Sequence, residues 1–74
     1  MTVPLSSLIP GESGIVEKVE SPIALRLFEL GLTEGLTVEC MLVSPFSDPS
    51  AFNIRGAVIA IRNKDCKDIL VKRV

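Results

Sequence analysis

Histidine, tryptophan and tyrosine are all absent from this chain. Without histidine it lacks the commonest general base, the commonest metal ligand and the one side chain that ordinarily titrates near neutral pH. Without tyrosine and tryptophan, Phe28, Phe46 and Phe52 are the whole aromatic complement. Aliphatic packing must therefore hold the core, and the aromatic-lined groove that reads polyproline has too few rings to form. Long charge runs are missing too. Eight Lys and Arg face nine Asp and Glu for a formal net charge of −1, and no like-charged block exceeds Lys72-Arg73, so nucleic acid is a poor partner. No apolar run approaches the roughly 18 residues of a membrane span, and Met1 to Pro10 lacks the basic start and apolar stretch of a secretory leader. A soluble, cytoplasmic protein with no membrane insertion is expected. Cysteine is limited to Cys40 and Cys66, both expected to be reduced in that compartment.

The same absences bear on chemistry. A cysteine nucleophile needs a base or a low-pKa setting, and neither thiol has one nearby in sequence. Cys40 alternates with Val38 and Leu42 as a small core residue would, and Cys66 reads as the apolar tooth of a short turn. Two distant thiols without histidine cannot complete a tetrahedral zinc site. Glycine-rich phosphate loops are missing, and the scattered carboxylates show no acid–base spacing. No enzyme, resident metal or cofactor is expected.

What is present is 47% apolar residues in 74, enough for one compact domain and too short for two. Ser21 to Gly35 carries a complete short helix at about 22 to 30: Ser21 as cap, Pro22 at the first helical position, Gly31 as the left-handed closing residue and Gly35 at a second turn. Ile23, Leu27 and Leu30 form one stripe, Ala24 and Phe28 widen it, Leu25 flanks it, and Arg26 and Glu29 are polar. Glycine and proline cut the remainder into strand-sized pieces. Ile15 to Val19 is a strand, bulged because Val16 and Val19 are three apart. Thr37 to Val43 alternates, with Val38, Cys40 and Leu42 on one face and Thr37, Glu39 and Met41 on the other. A loop over 44 to 50 contains Pro45 and Pro49. Ala51 to Arg55 and Ala57 to Arg62 form a hairpin around Gly56, with Phe52, Ile54, Ile59 and Ile61 inward. Asn63 caps a single turn through Lys67, and Ile69 to Arg73 closes the chain with Ile69 and Val71 inward. Five short strands and one short helix indicate a mainly β fold, a small, partly open β-barrel that the helix plugs or flanks.

A chain this short cannot bury every apolar residue it carries. Leu25 and Phe28 on the helix and Phe46 in the proline-bounded loop are the large groups the barrel needs least, with Met41, Val58 and Leu70 on outward strand positions. Clustered, they make an interface; singly, exposed apolar residues are ordinary.

The succession Leu5-x-x-Leu8, Pro10-Gly11-Glu12, Arg26 to Gly35, Ser44-Pro45-Phe46-Ser47-Asp48-Pro49, Arg55-Gly56 and Ile59-Ala60-Ile61-Arg62 resembles the FeoA family across nearly the whole chain. That resemblance implies an SH3-like barrel with a helix inserted after the first strand. It also implies an accessory or regulatory role beside FeoB, the ferrous-iron membrane transporter with a cytoplasmic GTPase domain. Arg26, Gly31, Gly35, Pro45, Asp48, Pro49, Gly56 and Arg62 match positions read as structural, with Arg26 reaching the carbonyls at the helix end or a nearby carboxylate. Partner contact is expected at Leu25, Phe28 and Phe46. The alternatives are a generic SH3-like interaction module and a stand-alone relative of the C-terminal domain of metal-dependent repressors, though no helix-turn-helix segment is visible. Self-association stays open.

Overall fold

The computed structural model describes residues 2–44 and 49–74. Six strands form a single antiparallel sheet in the order β1-β6-β2-β3-β4-β5. They are β1 (Thr2–Pro4), β2 (Ser13–Val19), β3 (Thr37–Val43), β4 (Ser50–Ile54), β5 (Ala57–Ile61) and β6 (Ile69–Arg73). Helix α1 spans Ala24–Glu29 and helix α2 spans Asn63–Cys66, and a 3₁₀ turn covers Leu5–Ser7. The two outer strands β1 and β5 do not pair with each other, so the curled sheet is a partly open barrel, as expected.

The sixth strand corrects an expectation of five. Thr2, Val3 and Pro4 pair with Lys72, Val71 and Leu70 of β6. Three residues are too few to show alternation, and Pro4 is tolerated because the strand lies at an edge. Pairing with β1 also leaves Leu70, expected outward, only half-buried. The register of β2 on β6 shifts between Val16 and Lys18, the bulge that the spacing of Val16 and Val19 predicted. The strand begins two residues earlier than expected, because Pro10-Gly11-Glu12 builds a turn into it. The Gly11 N–H donates to the Cys40 carbonyl, the Cys40 N–H donates to the Glu12 carbonyl, and Glu12 Oε1 accepts the Ile9 N–H, all at 2.9 Å.

β3 has its expected bounds, but Leu42 is not inward. A second irregularity between Cys40 and Leu42 sets Cys40 opposite Phe52 and Leu42 opposite Ala51. One residue is skipped, the alternation reverses, and Leu42 ends up exposed beside Met41. The β4–β5 hairpin turns on Arg55 (φ 53°) and Gly56 (φ 86°). Two consecutive positive φ values mark a type I′ turn, whose twist matches that of the flanking strands.

Leu5, Leu8, Val16, Val38, Phe52, Ile54, Ile61, Ile69 and Val71 meet inside the barrel, and Leu27 and Leu32 cap it from α1 and the turn after it. Both cysteines belong to this core as free thiols. Gly14 lets β2 and β6 approach closely: a Cβ there would lie 2.8 Å from Val71 Cγ2. Among the described residues no helix is long and apolar enough to cross a membrane.

Candidate interaction surface

Helix α1 is shorter than expected and is held at both ends. Ile23, at φ −99° and ψ 24°, has not yet entered the helix, so Ala24 and not Pro22 begins it. Ser21 is therefore not the helix cap that was expected: Ile23 stands at that position with no side-chain cap, and the Ser21 Oγ accepts the Ile23 N–H at 3.1 Å in a serine turn ahead of the helix. The same hydroxyl donates to Asp65 Oδ1 of α2 at 2.9 Å, and both residues are buried. At the other end the Gly31 N–H donates to the Phe28 carbonyl and the Leu32 N–H to the Leu27 carbonyl, both at 2.9 Å. This Schellman pair closes around Gly31, which stands at φ +104° as expected, and Gly35 also turns with positive φ.

These anchors divide the helix into two faces about 180° apart. Ile23, Arg26, Leu27 and Leu30 look toward β5, while Leu25 and Phe28 point the other way, 73% and 61% exposed. Leu30, expected on the buried stripe, is 46% exposed. The helix ends one residue before it, and the chain turns away before a further core layer can cover it. Leu27 is thus the only fully buried residue within α1.

Between the inner face of α1, the edge strand β5 and the start of α2 lies a groove of about 710 Å³. Leu27, Leu30, Ile59 and Ile61 give it apolar walls, and Arg26, Arg62 and Lys64 stand among its lining cations beside Asp65 and Asp68. Arg26 does not bind the helix-end carbonyls or a carboxylate as expected. Its side chain is exposed, and among the described residues the ion pairs are Lys18–Glu20 and Arg73–Glu12. Arg62, also exposed, precedes α2 at the position expected for Asn63, which instead opens the helix itself.

Of the other anticipated positions, Gly56 makes the hairpin turn, and Pro49 is exposed just before β4. Phe46, Pro45 and Asp48 lie outside the described residues. The groove and the Ser21–Asp65 bond were not anticipated. A signal for the groove was present in an uncharged strand bracketed by Arg55 and Arg62.

The surface carries little reactive chemistry. Among the described residues no three His, Cys, Asp or Glu side chains converge on a point. Burial pushes the Cys40 thiol above its ordinary value, with Glu12 and Glu39 adding to the shift against a backbone hydrogen bond from Leu42. A thiol held in that form is neither a nucleophile nor a ready ligand.

An SH3-like barrel with a helix inserted between β2 and β3 is the class of protein these features define. The FeoA domain model matches residues 3–73, and the chain belongs to the FeoA family. It is similar to the crystal structure of an iron uptake regulatory protein (FeoA), at 30% identity and TM-score 0.89 over 100% of this chain and 99% of that one. It is similar to FeoA of Chlorobium tepidum, at 28% identity and TM-score 0.90 over 97% of this chain and 70% of that one. FeoA of Stenotrophomonas maltophilia, solved with zinc and described as a procaryotic SH3 domain protein and a candidate ferrous iron transport activating factor, superimposes with TM-score 0.81. It is 31% identical, over 97% of this chain and 89% of that one. Comparison with curated proteins gives no match.

Proposed function

We propose that this chain is a cytoplasmic accessory protein of ferrous iron uptake that docks, without catalysing a reaction, on the cytoplasmic GTPase-containing region of a FeoB-type transporter. Family membership supports the iron-uptake context. The observation that carries the docking role is the outward pair Leu25 and Phe28, two large apolar side chains adjacent on a helix too short to stand alone. A protein of this size gains nothing in its own stability from such a pair, whereas burial against a partner releases water from both side chains. Phe46 joins them as a third contact in this reading.

The test compares Phe28→Ala and Phe46→Ala with the unaltered chain, measuring binding to the purified cytoplasmic region of the transporter and thermal stability in parallel. Removing an aromatic anchor from a buried interface costs about 1–2 kcal/mol of binding or more. Binding lost with stability kept supports the interface. Both variants binding as well as the parent refutes it.

A further inference from the structure

We infer that the free edge of β5 is a strand-addition site, taking an extended apolar segment with acidic flanking residues from a partner protein into the groove beside α1. The inference builds on the adaptor reading above by naming the form of the docked segment.

The edge is open by pairing. Among the described residues β5 bonds to β4 alone, with Ile54 opposite Ala57 and Phe52 opposite Ile59. In a two-residue hairpin the pair flanking the turn exchanges both hydrogen bonds, and every second pair after it does the same. The backbone groups of Val58 and Ala60 therefore point away from β4 toward the groove, and no turn or loop bond among the described residues takes them up. The edge is also unguarded. Proteins ordinarily blunt an exposed edge with a charge, a proline or a bulge. β1 carries Pro4, yet Ala57 to Ile61 has none of these devices.

Charge chooses the occupant. Arg55 precedes the strand and Arg62 follows it, while Arg26 lines the groove from α1 and Lys64 from α2, none of them in an ion pair among the described residues. A second copy of β5 pairing antiparallel about Ile59 would set Arg55 of one chain opposite Asn63 of the other, with Arg62 and Lys64 on either side of it, so like charges would gather at both ends and repel. A foreign strand with acidic residues at its ends meets cations there instead. Its alternate apolar side chains face Leu27, Leu30 and Ile59, and its backbone pairs with Val58 and Ala60.

The test uses the full chain, isotopically labelled, and two synthetic probes: an extended Val/Thr heptapeptide with aspartate at both ends, and the same peptide with lysine at both ends. The acidic probe is expected to shift the Val58, Ala60 and Arg62 amides most, to bind at least about tenfold more tightly than the lysine probe, and to weaken with added salt. Ala60→Pro removes a donor that faces the groove and none that faces β4, so it should abolish binding while the other amide shifts stay in place. Should that variant fail to fold, N-methylating alternate residues of the acidic probe removes the same bonds from the other side and should abolish binding to the unaltered chain. Equal binding of the two probes, shifts confined elsewhere, full binding by Ala60→Pro or by the N-methylated probe, or dimerisation of the free chain through these amides each overturns the inference. None of these results involves the transporter, so each leaves the docking role standing. Failure of the transporter region to bind, with the acidic probe still bound at β5, overturns the docking role alone.

Discussion

Replacing Ser21 with alanine removes two bonds at one point. The Ile23 N–H loses its acceptor, and the Asp65 carboxylate loses its donor in a site where Ser21 is 4% and Asp65 6% exposed. Loss of an ordinary hydrogen bond such as that from the Ile23 N–H costs about 0.5–1.5 kcal/mol, and loss of one to a charged group about 1.5–3 kcal/mol. Ser21→Ala is therefore expected to cost about 2–4.5 kcal/mol, out of a total of roughly 4–11 kcal/mol for a domain of this length. Asp65→Ala should cost about 1.5–3 kcal/mol, since the hydroxyl keeps its backbone bond but is left with a buried donor. The two losses share one interaction, so the double variant should be less unstable than their sum by about 1–2 kcal/mol. Urea unfolding of the three variants and the parent measures that coupling. A coupling below about 0.5 kcal/mol, within the error of additivity, would show that the bond does not tie α1 to α2 and refute the reasoning.

Gly31→Val should lose about 2 kcal/mol or more, read as a fall in Tm of about 8–16 °C, because a β-branched residue resists φ +104° and its Cβ would meet Arg55 Cδ at 2.7 Å; repeating it with Arg55→Ala separates the clash from the backbone strain. Gly14→Ala should cost about 1–3 kcal/mol by overpacking against Val71, and a neutral result in thermal melts would mean that β2 and β6 can part there freely. Because burial raises the Cys40 pKa in the fold, the contribution of this thiol to stability should be fully present below its ordinary unfolded value of 9.0 and decline as pH rises from there toward the folded value; urea titrations above and below that pH test the sign, with Cys40→Ala weakening the dependence. Calorimetry with ferrous iron or zinc under reducing conditions at neutral pH should show no tight stoichiometric site on the monomer, and tight one-to-one binding would contradict the account of Cys40 and Cys66 as core residues.

Elements set by neighbouring residues were readable in the sequence, and those set by distant pairing were not. Thr37 to Val43 showed its period of two, Arg55-Gly56 its turn, and Val16 and Val19 their bulge, because each pattern is complete within a few residues. Leu42 looked inward on the same logic and is exposed, since the bulge after Cys40 exists only in the pairing of β3 with β4. β1 escaped notice because its strand character comes from pairing with β6 at the far end of the chain. Arg26 was expected to satisfy the helix end, but the Gly31 and Leu32 amides already bond carbonyls of the last turn. For the surface, Leu25 and Phe28 could be singled out as surplus to a small core. The groove on the other side of α1 could not, because its walls come from three elements brought together only by the fold.

The shortness of α1 bears on how its exposed face can work. A helix of six residues has almost no stability of its own, and a loosely held helix would have to be ordered by its partner, which weakens binding. Here the ordering precedes any encounter: Ser21 fixes the start to α2, the Gly31 turn fixes the end, and Leu27 and Leu32 sink into the barrel core. Leu25 and Phe28 are therefore presented from a position set by the core, so their burial against a partner need offset little beyond their own rotamer freedom. The same anchoring sets the groove, since Pro22 and Ile23 on one wall and Lys64 and Asp65 on the other meet through the Ser21–Asp65 bond.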